Sequence, residues 1–340
     1  MTAKPAKRSR WRTVLHWLEG IVGAALALIL FSIAAGAIFE WVSAQGDAQR
    51  MPPPGRLVDI GGGMRLHLRC TGSGTPAVIF DSGLGGTMLD WDLVQPAVAK
   101  TTRACSYDRA GMGWSDPAQG HRSPQRIAEE LHALLIAAHI GGPYVLVAHS
   151  LGGKNIRMFA RDYPDDVAGM VLVDARSEYM DFHASAADKQ SLKDQLSNGA
   201  LTSHIGRTLG IVRLFGANLF DGPLPDATRQ QAALLDTAQK SIDAVAGEGT
   251  ALTGSDIELR DAPPLGNRPL IVIASGENMD ANKDWRASQL LQAKFSRDGR
   301  LIVAKGSGHY VQWERPGLVI SAVDEVVQKV RRATATPASP

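Results

Sequence analysis

Little in this chain points to a metal, a nucleotide or a nucleic acid. No histidine or cysteine cluster has metal-ligand spacing, no GxGxxG opens a dinucleotide unit, and no glycine-rich turn matches the phosphate loop of the GxxxxGK type. Surplus charge is also scarce. The formal net charge is +2, and no basic patch is interleaved with aromatics, which argues against nucleic acid and polyanionic partners. Cysteine is limited to Cys70 and Cys105. The pair fits an oxidising compartment and equally fits two small buried hydrophobes. No internal repeat is present. What the chain has is bulk: 340 residues, 44% of them hydrophobic, suit one large α/β domain with an insertion and a substantial core.

One hydrophobic run stands apart. Lys4, Lys7, Arg8, Arg10 and Arg12 precede "GIVGAALALILFSIAAGAIF", the 20 uncharged residues from Gly20 to Phe39. At 1.5 Å per residue such a run spans about 30 Å, the thickness of a bilayer core. A cleaved secretory signal is the alternative, since "VSA" at Val42 to Ala44 resembles a small-residue cleavage site. Signal apolar regions are shorter, roughly 7 to 15 residues, and a buried core helix would show a polar face. The reading is therefore a basic cytoplasmic segment over 1–19 and a transmembrane helix over 20–42. Everything after Trp41 then lies on the outer side, periplasmic or extracellular. Trp11, Trp17 and Trp41 flank the run as interfacial rings would.

A polar, proline-rich linker follows at 43–55, and the tail "ATATPASP" at 333–340 reads as disordered. Between them, apolar strand-like runs alternate with helical patterns, and the middle and later runs are continuously hydrophobic, as strands buried on both faces are. Ser123-Pro124 opens one helix as cap and first residue, with Ile127, Leu131 and Leu134 on one face. Another follows Ser150 directly, and a third runs from about Pro316 to Val330. The alternation predicts an α/β fold with a mostly parallel sheet covered on both faces, built from 56–177 and 266–332. The segment 178–265 has amphipathic helices and no strong buried strand, so it reads as a helical insertion.

The stretch "VLVAHSLGG", Val145 to Gly153, runs from a buried strand through a serine into a glycine pair. Strand, Ser150, glycine, helix is the layout of a nucleophile elbow, with small residues Ala148 and Gly152 two positions to either side. A serine that simply caps the helix is the competing reading. A serine hydroxyl needs a base. His309, in the glycine-flanked "KGSGHYVQ" after the last strand, stands where that base belongs, while His149 should point elsewhere at a tight corner. An oxyanion needs two N–H donors. The backbone of Leu151 supplies one, and Leu84 in the turn "DSGLGG" supplies the other.

Together "DSGLGG", "YDRAGMGWSDP", "AHSLGG", "VLVDA" and "GSGHY" make the sequence from Gly55 to Arg332 resemble the α/β-hydrolase superfamily. The resemblance implies an eight-stranded sheet with an antiparallel second strand, helices on both faces, and a Ser–acid–His triad beneath a helical lid, here 178–265. The superfamily usually takes its acid from the loop after the seventh strand, which offers Glu277, Asp280 and Asp284, but the glycine-to-aspartate spacing to Asp280 is off by one. Asp174, at the end of the sixth strand, is the other site and is preferred. Asp108 and Arg109 read as a structural turn pair, Trp114 as pocket lining or packing, and Lys154 has no functional reading. In the superfamily the second and fourth strands are neighbours, which would bring Cys70 and Cys105 close enough to raise a disulfide, although sequence does not set their Cα distance. The activity implied is cofactor-free hydrolysis of a small-molecule ester, thioester or amide through an acyl-enzyme on Ser150. Carbon–carbon hydrolysis, cofactor-free haloperoxidase chemistry and a non-catalytic membrane-anchored binding module remain open alternatives. Substrate identity and oligomeric state are not legible.

Overall fold

The computed structural model describes residues 10–219, 224–251, 259 and 262–335. Eight strands form one sheet: β1 (Arg56–Asp59), β2 (Arg65–Thr71), β3 (Val78–Asp81), β4 (Ala104–Tyr107), β5 (Tyr144–His149), β6 (Val167–Val173), β7 (Leu270–Ser275) and β8 (Gly299–Ala304). Their order is β1-β2-β4-β3-β5-β6-β7-β8. β2 runs antiparallel to both β1 and β4, and all other neighbours are parallel, as the resemblance implies.

Every residue of β3, β5 and β7 is buried, which is why these strands read as unbroken apolar runs. Their side chains alternate between two cores. Leu146 and Ala148 of β5 face a core completed by the helices Pro124–Ala137 and Gly152–Asp162, through Leu131, Leu134, Ile156 and Phe159. Val145 and Val147 face the other, completed by Val319, Val323, Val326 and Val327 of the helix Pro316–Ala335. The Ser123 hydroxyl accepts the Arg126 N–H at 3.2 Å, so the helix after it starts where its cap and Pro124 place it. Cys70 and Cys105 stand opposite each other in the β2–β4 ladder and are joined as a disulfide.

Between β6 and β7 the described residues contain helices and no strand: Glu178–His183, Ala186–Thr208, Ile211–Leu219, Asp226–Asp236 and Gln239–Ala251. Two buried ion pairs fasten this segment to the sheet layer. Lys154 meets Asp181 at 2.8 Å, and Arg109 meets Glu248 at 2.8 Å. The first gives Lys154 a structural reason that the sequence alone does not supply.

Three boundaries differ from the sequence reading. The first helix runs from Arg10 to Ala44 and so takes in part of the basic segment; Lys4, Lys7 and Arg8 lie outside the described residues. Its stretch Trp11–Ala44 contains an 18-residue window of mean hydropathy 2.5 and is long and apolar enough to cross a membrane by length and composition. The linker contains a short helix, Asp47–Arg50. The last helix continues to Ala335, past the point where the tail reads as disordered, and residues 336–340 lie outside the described set.

Candidate active site

Ser150 sits at the corner between β5 and the helix Gly152–Asp162 with φ of 50°, in the left-handed region that non-glycine residues rarely occupy. The corner is tight because its neighbours are close. A side chain added at Gly152 would come within 2.7 Å of the Asp81 and Ser82 carbonyl oxygens, and one at Gly153 within 2.6 Å of Ala175 Cβ. Ala148 packs fully buried where a glycine is the more usual choice. The helix has no side-chain cap. The Ser150 hydroxyl therefore does not cap it; the Oγ stands 3.0 Å from His309 Nε2.

His309 lies in the loop after β8, and its Nδ1 is 2.7 Å from Asp174 Oδ2. If Nδ1 carries the proton toward the carboxylate, the Nε2 lone pair is left to accept from the serine hydroxyl. Asp174 follows β6, is completely buried, and also holds a positive φ of 38°. Three further donors fix it: Ser275 N–H at 2.9 Å, the Trp285 indole at 2.8 Å and the Asn278 amide at 2.7 Å. The end of β7 and the two helices that follow it, Gly276–Ala281 and Lys283–Gln292, where the sequence reads as a loop, thus supply donors to the carboxylate at the neighbouring strand end. Asp280 in the first of these helices is exposed and pairs with Arg286 at 3.2 Å. Glu277 is also exposed, and Asp284 lines a separate cavity with Arg176 and Asp188.

His149 departs from expectation, because it does reach the pocket. It is buried, and its Nε2 lies 3.0 Å from the His309 carbonyl oxygen, so Nε2–H donates there and holds the backbone of the His309 loop. Burial, with the nearby His309 ring, pushes its pKa well below that of an ordinary histidine and keeps it neutral. Asp108 and Arg109 are not a pair. Asp108 accepts from the Met88 and Trp114 N–H groups and lies 2.9 Å from His67 Nδ1. Arg109, buried, donates to Asp81, to the Ser82 and Gly83 carbonyls at 2.8 and 2.7 Å, and to Glu248. It therefore clamps the carbonyl side of the turn that carries Leu84. Trp114 packs on His67 and donates to the Met51 carbonyl.

Ser150, His309, Leu84 and the glycines around it line a cavity of about 410 Å³. Asp90, Asp236 and the stacked rings of Tyr310 and Trp313 also line it. Burial raises the Asp90 pKa to about 7 and pushes that of Asp236 well up. Among the described residues no group of three or more His, Cys, Asp or Glu side chains is placed to hold a metal. Asn278, Trp285 and the His149 bond escape sequence reasoning. The only hint was the irregular spacing after β7, which disfavours an aspartate there without naming what replaces it.

Comparison with known proteins agrees with this architecture. The chain is 27% identical over 316 residues to a probable transporter of Hormonema carpetanum, a match that covers 82% of this chain and 44% of that protein. It is 25% identical over 279 residues to 2-(acetamidomethylene)succinate hydrolase of Mesorhizobium japonicum, covering 80% of this chain and 94% of that enzyme. A bromoperoxidase from Bacillus anthracis superposes with a TM-score of 0.64 at 18% identity, over 80% of this chain and 99% of that one. The model of the alpha/beta hydrolase family matches residues 78–322, which takes in β3 to β8 and the strand ends that carry Ser150, Asp174 and His309. The chain belongs to the alpha/beta hydrolase family.

Proposed function

We propose that this is a membrane-anchored serine hydrolase that cleaves a small-molecule carboxylic ester, or a thioester or amide, through an acyl-enzyme on Ser150. The observation that carries the reading is the unbroken chain of contacts from Ser150 Oγ to His309 Nε2 at 3.0 Å and from His309 Nδ1 to buried Asp174 at 2.7 Å. Ser150 Oγ attacks the substrate carbonyl carbon while His309 Nε2 takes its proton. The N–H groups of Leu84 and Leu151 hold the resulting oxyanion. His309 then returns the proton to the leaving group, and the acyl-enzyme forms. Water, deprotonated by the same imidazole, attacks the ester and releases the acid. Asp174 keeps the imidazole in one tautomer and stabilises its charged form without itself taking the proton.

The segment 178–265 acts as the lid over this site. Asp236 and Val245 on its helices face the cavity, which supports the assignment. The helix Trp11–Ala44 is the anchor, with the catalytic domain on the outer side. The Cys70–Cys105 bond supports that side, since disulfides persist in oxidising compartments. The test is a chain-length series of p-nitrophenyl esters with the wild type and single variants. Turnover should be absent in Ser150→Ala. Equal turnover in the wild type and Ser150→Ala would remove the proposal.

A further inference from the structure

The insertion's first long helices do not sit free above the sheet. They grip the outer end of the first helix. Arg207 and Arg213 both pair with Glu40, and Arg213 pairs with Asp47 at 2.8 Å. The backbones also meet. A side chain at Gly36 would come within 2.5 Å of the Leu209 carbonyl oxygen, and one at Gly210 within 2.9 Å of the Phe39 ring. Gly36 and Phe39 belong to the apolar run, and Glu40 is the first charge after it. The turn Leu209–Gly210 therefore stands about one helical turn, roughly 5 Å, on the membrane side of Glu40.

On either side of that turn the insertion exposes apolar side chains. Leu201 and Ile205 share one face of Ala186–Thr208 at a spacing of four; Ile211, Leu214 and Phe215 share one face of Ile211–Leu219. All five are between 40 and 61% exposed. An apolar groove of about 440 Å³, lined by Ile205, Ile211, Val212 and Thr237, opens beside them. Thr237 is the chain neighbour of Asp236, which lines the catalytic cavity. Exposed apolar clusters of this kind mark contact surfaces, and apolar helix faces that lie on membranes sink about 5–10 Å into the boundary layer. The clamp around Glu40 ties both helices that carry this face to the outer end of the apolar run.

We propose that the insertion rests in the outer leaflet of the bilayer crossed by the first helix, with Leu201, Ile205, Ile211, Leu214 and Phe215 in contact with lipid chains and the groove occupied by lipid hydrocarbon. The proposal rests on the anchor reading above. It sets the insertion whose Asp236 lines the catalytic cavity against the bilayer, where lipophilic esters dissolve.

The test uses the full chain in phosphatidylcholine nanodiscs. Both native cysteines are paired, so a single introduced thiol takes an environment-sensitive NBD label uniquely. Labels go on Ile205→Cys and Leu214→Cys, with Ile29→Cys as the reference inside the apolar run and Ser321→Cys as the exposed control. The expected result is blue-shifted emission at 205 and 214, with quenching by doxyl-labelled lipid of about half that at 29 or more, and none at 321. Quenching at 29 but not at 205 or 214 overturns the proposal and leaves the anchor standing. Blue-shifted emission at 205 and 214 without lipid quenching assigns the face to protein contact and also overturns it. Silence at all sites removes the anchor and this inference together.

Discussion

At the scale of single residues, Asp174 carries the sharpest expectation. Its two oxygens are held by an imidazole, an indole, an amide and a backbone N–H, delivered by the end of β7, the two helices after it and the segment after β8. Removing the charge while keeping the shape, Asp174→Asn, should lower kcat for an activated ester about 10³- to 10⁴-fold, because the imidazole loses its orienting partner. Asp280→Asn, at an exposed carboxyl paired with Arg286, should stay within about twofold. Parallel ester kinetics on the two variants would decide, and the reverse ranking would move the acid to the β7 loop. Asp90 offers a second expectation, in stability. Its pKa is about 7 folded against an ordinary 3.8, because burial disfavours the carboxylate. Between these values the folded chain holds a proton that the unfolded chain has released. The contribution is complete below about pH 4 and is lost as pH rises through 7, with a slope of about 1.4 kcal/mol per pH unit. Asp90→Asn should flatten that fall in denaturant titrations across pH 4–8; an unchanged pH profile would contradict it.

At the scale of elements, the sheet was the most legible part. Strands buried on both faces leave unbroken apolar runs, so β3, β5 and β7 could be read directly, and glycines at 152 and 153 marked the corner that no side chain fits. Ser150 and His309 were legible because each stands among small residues just past a strand. Asn278, Trp285 and Glu248 were not. Their partners lie 104, 111 and 139 positions away, and no local pattern records such a meeting. The first helix starts before the apolar run for another reason: charged residues such as Arg10 and Arg12 bound an apolar run without ending a helix. The Cys70–Cys105 bridge, between strands the resemblance had made neighbours, closes a loop with a sequence separation of 35. Replacing both cysteines by alanine should cost about 3–4 kcal/mol by loop entropy, read as a lower urea midpoint in detergent. A loss below about 1 kcal/mol would argue that the bond is not formed in solution.

For the whole molecule, two contacts tie the layers into one machine. Arg109 joins the Leu84 turn, β3 and the insertion through Glu248, while Lys154 joins the helix after Ser150 to Asp181. Glu248→Gln removes one of the two carboxylates that compensate buried Arg109, and since Asp81 still pairs with it at 2.8 Å the chain should lose less than the roughly 3 kcal/mol that breaking a lone buried pair costs. The same variant should lower kcat more than it raises KM, because the turn carrying Leu84 loses one of its fixings. A variant with wild-type melting and wild-type kcat would show that the clamp holds nothing.

The most direct test of the site is covalent. The full-length chain, in detergent at neutral pH, is treated with a fluorophosphonate, digested, and its peptides mapped by mass spectrometry. A phosphonyl adduct on the peptide bearing Ser150, formed rapidly by the wild type and strongly slowed in His309→Ala, is the expected result. An unlabelled Ser150 in a folded protein, or an adduct that forms equally fast without His309, would contradict it.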